Sequence, residues 1–340
     1  MDIKALGEFG LIERIKEAAG SAPEGVLGIG DDCAVLPQAG GMETLVSTDM
    51  LVEGTHFLRA DIPARLLGWK SAAVNFSDIA AMGGRPTGSF LSLGLPDGLE
   101  ASWMDDFIEG YKECCDYCEA PLLGGDTTTS PSGICINVTV MGECKRGQSR
   151  LRSAALAGDL VCVTGTLGDS GGGLKVVLDR HARLDRASQM AGQAGHDATA
   201  SHDAEACHAA ADALVARHYR PVPRIREGLA LAATPGIHAM MDISDGVASD
   251  LRHILKASGV GAEVSVSDLP LSSQLLQVCA LYGWDATELA LTGGEDYELL
   301  FTMAPDAKPS VPYYVIGRIT NGRNLVWKGS DRDYIGFRHF

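Results

Sequence analysis

Long hydrophobic runs and basic charge are both scarce in this sequence. No run of about 18 apolar residues occurs, so no transmembrane helix is predicted and no membrane partner is expected. The first residues, Met1-Asp2-Ile3-Lys4, lack a basic segment followed by an apolar core, so we expect no signal peptide and a cytoplasmic location. The 28 basic and 44 acidic residues give a formal net charge of −16. This charge disfavours nucleic acid as a partner, because nucleic-acid binding relies on Lys and Arg.

The common phosphate-binding signatures are also missing. No G-x-x-x-x-G-K-[ST] loop is present, and Gly68-Trp69-Lys70-Ser71 has the wrong spacing for one. The motif set of protein kinases is absent, and the glycines at 165–173 do not fit G-x-G-x-x-G. A small phosphorylated ligand would therefore have to be held in another way, such as by metal ions placed between carboxylates and phosphate.

Nine cysteines are present, but they are not arranged as a zinc ribbon. Cys114, Cys115 and Cys118 cluster without a second pair at zinc-ribbon spacing. We therefore predict reduced, buried cysteines in a cytoplasmic protein, in preference to disulfides or a metal site.

The order of the predicted elements indicates an α/β protein with mixed, α+β-type sheets. Its 340 residues are long for one core and suit two domains. The spacing of apolar residues predicts helices over 3–19, 65–82, 101–119 and 247–258, and strands that include 43–48, 87–95 and 134–142. Strict βαβ alternation is not evident, which argues against a doubly wound Rossmann sheet.

The segment from Gly147 to Asp159 predicts a domain boundary, with an N-terminal domain over 1–148 and a C-terminal domain over 149–340. Within the second domain, 181–217 is rich in Ala, His, Asp, Ser and Gln and poor in β-branched residues. Five of the nine histidines lie in or beside it, at 181, 196, 202, 208 and 218. A metal-binding tract is one interpretation, but we favour a solvated insertion that is partly disordered or helical.

Five segments carry Asp beside Gly, Ser or Thr at the end of an apolar run. They are Asp31-Asp32, Ser47-Thr48-Asp49, Asn75–Asp78, Gly124-Gly125-Asp126 and Asp242–Asp245. A single such Asp is ordinarily a helix cap or a turn former, although Asp78 in an apolar helix requires a partner. If the five converge, cations must balance their charge, and oxygen ligands without His or Cys favour Mg²⁺. The sequence thus predicts a site where several Mg²⁺ ions hold a phosphate.

Six motifs follow one another along the chain. They are Gly-Ile-Gly-Asp-Asp (28–32), Ser-Thr-Asp-Met-Leu-Val-Glu-Gly-Thr-His-Phe (47–57), Asn-Phe-Ser-Asp-Ile-Ala-Ala-Met-Gly (75–83), Gly-Gly-Asp-Thr (124–127), Asp-Ile-Ser-Asp-Gly (242–246) and Gly-Gly-Glu-Asp-Tyr-Glu-Leu (293–299). In combination they resemble the thiamine-monophosphate kinase family, of the superfamily that includes aminoimidazole ribonucleotide synthetase and selenophosphate synthetase. Only 181–217 looks like an addition to the family pattern.

The resemblance implies the two-domain, aminoimidazole ribonucleotide synthetase-like architecture and a homodimer paired through the N-terminal domains. It also implies that thiamine monophosphate and ATP are converted to thiamine diphosphate and ADP. The Mg²⁺ ligands it implies are Asp31, Ser47, Thr48, Asp49, Asp78, Asp126, Asp242 and Asp245. It places ATP against Gly125, Asp126, Arg152 and Ser244, and thiamine phosphate against His56, Glu295 and Phe337. Ser153-Ala154-Ala155 follows Arg152 where the family has Ser-Gly-Ala, so Arg150 is an alternative contact for ATP.

Elementary chemistry agrees with this implied reaction. A phosphomonoester has its second pKa near about 6, so its oxygen is already an anionic nucleophile at neutral pH. We therefore expect direct in-line transfer without a covalent nucleophile or a general base from the protein, with Mg²⁺ and positioning overcoming the repulsion between anions. Without the resemblance, His56 would be explained as a loop hydrogen bonder and Glu295 as a turn former.

Two alternatives stay open at the level of sequence. The first is a synthetase of the same superfamily that activates another substrate with ATP. Selenophosphate synthetases usually carry a reactive Cys or Sec in a glycine-rich N-terminal segment, whereas the first 27 residues here contain Lys4 and Lys16 but no Cys. The second is a non-catalytic acidic module that binds Mg²⁺ or Ca²⁺, which would explain the carboxylates but neither Arg152 nor His56.

Overall fold

The computed structural model describes the backbone of residues 3–190 and 202–336 and confirms an α/β fold with two mixed sheets. The first half contains α1 (Ile3–Ala19), β1 (Ala34–Pro37), β2 (Met42–Val52), α2 (Ala64–Ala81), β3 (Arg85–Leu95), α3 (Ala101–Tyr117), β4 (Leu122–Thr129) and β5 (Cys135–Lys145). The second half contains β6 (Leu160–Val163), α4 (Asp169–Met190), α5 (His202–Tyr219), α6 (Ile225–Ala232), β7 (Ile237–Asp242), α7 (Val247–Ser258), β8 (Gly261–Ser265), α8 (Ser273–Tyr282), α9 (Ala286–Thr292), β9 (Leu299–Met303), β10 (Tyr314–Thr320) and β11 (Leu325–Lys328).

The first sheet has the strand order β1-β2-β5-β3-β4. Its neighbours run antiparallel except for β3 and β4, which are parallel. Residues alternate between its two faces, so Ile136, Val138 and Val140 of β5 are fully buried while the residues between them are partly exposed. The buried face packs against α2, which leaves the opposite face of the sheet open in one chain.

Helix α2 is buried along almost its whole length because small residues allow close neighbours. A Cβ atom at Gly68 would lie 1.9 Å from the backbone oxygen of Phe107, and one at Gly110 would lie 1.7 Å from that of Arg65. The absence of these two side chains lets α2 and α3 cross with their backbones nearly in contact. Helix α2 is thereby fixed as the central element of the first half.

The second sheet has the order β11-β8-β10-β6-β9-β7 and packs against α7 and α9. Its edge strand β7 also contacts α2, so the two halves meet along one buried helix. The approach is again close: a Cβ at Gly228 of α6 would lie 2.3 Å from the backbone oxygen of Ala80. This junction brings the C-terminal half of α2 against the end of β7.

Part of the predicted insertion at 181–217 is not solvated. Ala210, Ala211 and Leu214 of α5 are buried against α8, in a core with Leu275 and Val278. The Ala-rich composition therefore reflects close helix packing in this part, and the prediction of a solvated segment is wrong for it. His196 lies outside the described residues. The sequence patterns also did not predict β8, α8 and α9, which occupy 261–292.

The cysteines are free thiols, and Cys114, Cys115 and Cys118 are buried, as the sequence predicted. None of the helices in the described ranges is long and apolar enough to cross a membrane.

Candidate active site

A cleft of about 1490 Å³ runs along the junction of the two halves and contains most of the predicted acidic residues. Asp32, Asp78 and Asp242 each bring a carboxylate oxygen to within 4.8 Å of the other two. Asp32 comes from the turn before β1, Asp78 from α2 and Asp242 from the end of β7. The Ser47-Thr48-Asp49 segment lies beside them, because Ser47 hydrogen-bonds to Asp78. Convergence, expected from the repetition of these segments along the sequence, therefore holds for four of the five.

Hydroxyl groups orient two of these carboxylates. Ser47 of β2 donates a hydrogen bond of 2.6 Å to Asp78, and Ser77 of α2 donates one of 2.5 Å to Asp242. The backbone N–H of Asp49 donates to the side-chain oxygen of Asn75 at 3.0 Å, which ties β2 to α2 beside the cluster. The serines are thus engaged with carboxylates instead of being poised as nucleophiles.

Crowding and burial make this cluster costly to ionise. Burial, aided by the charge of Asp32, raises the pKa of Asp242 to about 7 and that of Asp31 to about 6. Asp49 is exposed at the edge of the cluster, yet partial desolvation in the cleft and the charge of Asp32 raise its pKa to about 6. Burial and the charge of Asp49 raise the pKa of Asp78 well above its usual range. Cations in the cleft would relieve this repulsion.

Arg152 neutralises only part of the charge. Its guanidinium donates to Asp32 Oδ1, and its backbone N–H donates to Asp31 Oδ1 at 3.1 Å. The other oxygen of Asp32, Oδ2, is buried and has no hydrogen-bond partner. A buried carboxylate oxygen without a partner is expensive, and together with the two neighbouring carboxylates it offers the all-oxygen donor set of a hard cation. The residues present therefore fit Mg²⁺.

A second cluster of polar residues lines the same cleft. Glu295, in the turn between α9 and β9, contacts the Lys70 ammonium at 2.9 Å and His218 Nδ1 at 3.3 Å. His56 lines the cleft nearby, and its Nδ1 accepts a 3.0 Å hydrogen bond from the backbone N–H of Val52. This bond orients the ring and places the proton of the neutral imidazole on Nε2.

The comparisons with known proteins agree with this arrangement. The profile of the AIR synthase related protein, N-terminal domain, matches residues 30–144, and that of the C-terminal domain matches residues 157–328. The thiamine-monophosphate kinase of Aquifex aeolicus (strain VF5) is 37% identical over 341 residues, covering 100% of both chains. That of Escherichia coli (strain K12) is 36% identical over 351 residues and covers 99% of each chain. The chain belongs to the thiamine-monophosphate kinase family.

A solved structure described as AaThiL complexed with AMPPCP and TMP has the same fold, with a TM-score of 0.85 at 37% identity. The match covers 100% of this chain and 99% of that chain. The family and the fold class implied by the sequence motifs are thereby confirmed.

Most of the ligand residues that the thiamine-monophosphate kinase resemblance implied line the cleft. They are Asp31, Ser47, Thr48, Asp49, His56, Asp78, Arg152, Asp242, Ser244, Asp245 and Glu295. Arg150 instead donates to the backbone oxygen of Ala232 at the junction of α2 and α6 and is not part of the cleft lining. Of the two arginines, Arg152 is the one placed beside the cluster.

Two of the implied residues, Gly125 and Asp126, are not brought to the cluster in the described structure. Gly125 and Asp126 lie on β4, which is exposed along its length at the far edge of the first sheet. A Cβ at Gly125 would lie 1.7 Å from the backbone oxygen of Leu91, so close strand packing alone accounts for this glycine. Phe337 lies outside the described residues. The roles of these residues stay predictions.

Lys70, His218 and Asp250 line the cleft but were not predicted as site residues. Lys70 had a signal in the sequence, because a lysine inside an otherwise apolar helix requires a buried partner. Asp250 is buried in α7 and accepts a 3.2 Å hydrogen bond from the backbone N–H of Asp245. No pattern of spacing pointed to His218, since it ends a helix that the sequence suggested to be an insertion.

Proposed function

We propose that this protein is an ATP-dependent kinase that phosphorylates thiamine monophosphate to thiamine diphosphate. The observation that carries the proposal is a single cleft that contains both the Asp32, Asp78 and Asp242 cluster and the side chains of Glu295 and His56. The acidic cluster is suited to phosphates held through cations, and Glu295 with His56 is suited to an organic group with hydrogen-bonding atoms. The names of the full-length relatives, and the complex with AMPPCP and TMP, support the identity of the two substrates.

We propose that Asp31, Asp32, Asp78 and Asp242 form the core of a site for several Mg²⁺ ions, with Ser47, Thr48, Asp49, Asp126 and Asp245 as further ligands. The bound ions would neutralise the phosphates of ATP and of the acceptor and stabilise the charge of the transferring group. The protein's own contribution is to hold the carboxylates in place through Ser47 and Ser77 and to shield them at the domain junction. Arg152 and Ser244 would contact ATP, as would Gly125 and Asp126.

Transfer would be direct and in line. The acceptor phosphate already carries an ionised oxygen at neutral pH, so the protein needs to position it and not to deprotonate it. His56 lines the cleft with its ring oriented by the bond from the Val52 N–H, and we propose that it contacts the acceptor substrate. Such a mechanism forms no phosphoenzyme, and inversion at a chiral γ-phosphorus of ATP would support it.

We further propose a homodimer formed through the open face and edge of the first sheet. Met50, Phe90, Leu122 and Leu123 are exposed there by 55%, 38%, 43% and 56%. An exposed apolar edge strand invites pairing with another chain, and a second copy covering it would also change what surrounds Asp126.

The decisive test is ADP formation by the purified protein with ATP and Mg²⁺, in the presence and absence of thiamine monophosphate. We expect ADP and thiamine diphosphate to appear in equal amounts, and only when thiamine monophosphate is present. A rate of ATP consumption that does not change when thiamine monophosphate is added would favour a synthetase acting on another substrate. Metal binding without any ATP consumption would favour a non-catalytic acidic module.

A further inference from the structure

The side chain of Lys70 is almost completely enclosed, with 1% of its surface exposed. It projects from the middle of α2, and its ammonium lies 2.9 Å from Glu295 Oε1 and 3.1 Å from Glu295 Oε2. An ammonium buried without a partner is very unfavourable, so this lysine and this carboxylate require one another. The contact reaches across the domain junction, since the two residues are separated by 225 positions in sequence.

Glu295 is held in place on its backbone side as well. Its φ is 64°, a left-handed conformation that a residue with a Cβ adopts only under constraint. Its backbone N–H donates to the backbone oxygen of Ser244 at 2.8 Å, and the N–H of Tyr297 donates to that of Ile243 at 2.9 Å. A Cβ at Gly294 would lie 2.4 Å from the Ser244 oxygen, so only glycine permits this turn. The carboxylate is therefore presented to the cleft in a fixed orientation.

The charge around Glu295 is balanced before any ligand binds. Lys70 contributes one positive charge, and burial together with Lys70 lowers the pKa of His218 to about 3, which keeps its ring neutral. The His218 Nδ1 shares its contacts between Glu295 and the Ser170 hydroxyl, 3.0 Å away. The Glu295 side chain nevertheless keeps 26% of its surface exposed toward the cleft. A carboxylate in a neutral pair retains lone pairs for a ligand but has little net charge to attract a cation.

We propose that Lys70 is a positioning residue that makes Glu295 a hydrogen-bond acceptor for the exocyclic amino group of the substrate's pyrimidine, instead of a counter-ion for its thiazolium. This inference rests on thiamine monophosphate being the substrate. The same cleft is also lined by the apolar side chains of Phe57, Val177 and Leu178, and such side chains suit the ring faces of this group. Recognition of an amino group by a buried, oriented acceptor gives strong selection against an analogue without it.

Two substrate analogues test the inference on the unaltered protein. One is 4′-desaminothiamine monophosphate, which lacks the amino group, and the other is 3-deazathiamine monophosphate, whose sulfur ring is uncharged. We expect kcat/KM to fall by about 100-fold or more for the first and by less than about tenfold for the second. The reverse order, or equal losses, would overturn the inference. If thiamine monophosphate itself is not phosphorylated, the proposed function fails instead.

Variants then test the part played by Lys70. In Lys70→Met, the Glu295 carboxylate loses its balancing charge, and we expect KM for thiamine monophosphate to rise by about tenfold or more while KM for ATP changes by less than about threefold. The selection against the desamino analogue should shrink, and that against the deaza analogue should grow. The double variant Lys70→Met/Glu295→Gln is matched in shape and uncharged, and it should recover a preference for the amino group.

A merely structural role for Lys70 would lower activity toward all three substrates by one factor, and that result would contradict the positioning role. Lys112→Met, at an exposed position on α3, serves as the control for loss of a lysine and should leave all three values unchanged. If Lys70→Met does not fold, the comparison of analogues on the unaltered protein still decides whether Glu295 recognises the amino group or the thiazolium.

Discussion

The Ser77 hydroxyl donates a 2.5 Å hydrogen bond to the Asp242 carboxylate and so links α2 of the first half to the end of β7 in the second. Both residues are buried, and the bond fixes one carboxylate of the proposed metal cluster. Ser77→Ala should therefore weaken both the domain junction and the site. We expect a loss of about 1–3 kcal/mol in the free energy of unfolding, because a buried acceptor loses its partner.

Urea unfolding with and without Mg²⁺ measures this effect. Weaker stabilisation by Mg²⁺ in Ser77→Ala than in the unaltered protein would show that the hydroxyl also orients the ligand. Ser102→Ala, at an exposed position on α3, provides the matched control and should change neither quantity by more than about 0.5 kcal/mol.

The Asp49→Asn substitution separates stability from activity. It removes one charge from a cluster in which Asp32 and Asp78 repel it, so the metal-free protein should become more stable. After allowance for solvent around this exposed residue, we expect a gain of roughly 1 kcal/mol at neutral pH. Turnover should fall by about 100-fold or more, because a proposed ligand of Mg²⁺ is lost.

Thermal unfolding in EDTA and steady-state kinetics with excess Mg²⁺ check the two effects of Asp49→Asn. Turnover close to that of the unaltered protein would exclude Asp49 as a ligand. Asp116→Asn, which changes an exposed carboxylate on α3, should affect neither measurement beyond the small loss expected for a surface ion pair.

The metal-free protein should lose stability as the pH rises. Burial and the charge of Asp32 raise the pKa values of Asp31 and Asp242 to about 6 and about 7, above the ordinary value of 3.8 for an aspartate. The folded state therefore binds more protons than the unfolded state in this interval. Stability from this source is complete below about pH 4 and is lost as the pH rises through about 7. This pH dependence is opposite to that of a salt-bridged carboxylate, whose contribution to stability is lost as the pH falls.

Mg²⁺ should counter this loss because it favours the ionised carboxylates. We therefore expect the increase in thermal midpoint on adding Mg²⁺ to be several degrees larger at about pH 7.5 than at about pH 5. Differential scanning calorimetry in EDTA and in Mg²⁺ at the two pH values measures the difference. An equal increase at both would contradict a site built from these carboxylates.

The sequence predicted the type of site, a cluster of carboxylates, better than it predicted which residues form the cluster. Asp32, Asp78 and Asp242 converge as their repeated strand-end and turn contexts suggested. Asp126 shares that context yet lies on an exposed edge strand, because local sequence does not specify strand order. The order of strands depends on long-range packing, which a pattern of residues within one segment does not contain.

The environment of the long helices in the second half was the feature that the sequence predicted least well. Low β-propensity and many polar residues suggested that 181–217 is solvated, whereas α5 buries Ala210, Ala211 and Leu214. Alanine is compatible with both a solvated helix and close packing, so composition could not decide between them. Lys70 and His218 were missed for a related reason, since their role depends on Glu295, far away in the sequence.

The ion pairs of Glu298 at the end of α5 lead to a further prediction. Arg217 at the end of α5 and Arg224 at the start of α6 both donate to the fully buried Glu298 carboxylate, which also accepts a 2.8 Å hydrogen bond from Thr164. Glu298→Ala would leave the two guanidinium groups without their common partner. We expect a loss of about 3–5 kcal/mol in the free energy of unfolding.

Guanidinium chloride unfolding of Glu298→Ala measures this loss. Arg217→Met should cost less, because Arg224 still pairs with Glu298, and it tests directly whether the end of 181–217 is structural. No change in stability for either variant would contradict a structural role for the end of this segment. Glu263→Ala, which breaks the exposed pair with Lys328, is the control and should cost less than about 1 kcal/mol.

The exposed edge of the first sheet leads to the last prediction. Leu123 on β4 and Phe90 on β3 lie on or beside the apolar surface proposed to pair with a second copy. Leu123→Asp places a charge in that surface, so it should shift the protein from dimer to monomer without unfolding it, because the side chain is already exposed by 56% in one chain. Light scattering after size-exclusion chromatography measures the mass, and circular dichroism checks the fold.

The control is Leu281→Asp, on a similarly exposed leucine of α8 in the second half, which should leave the mass unchanged. A dimer that survives Leu123→Asp would place the interface elsewhere, whereas a monomer with reduced turnover would indicate that the cleft needs the second copy.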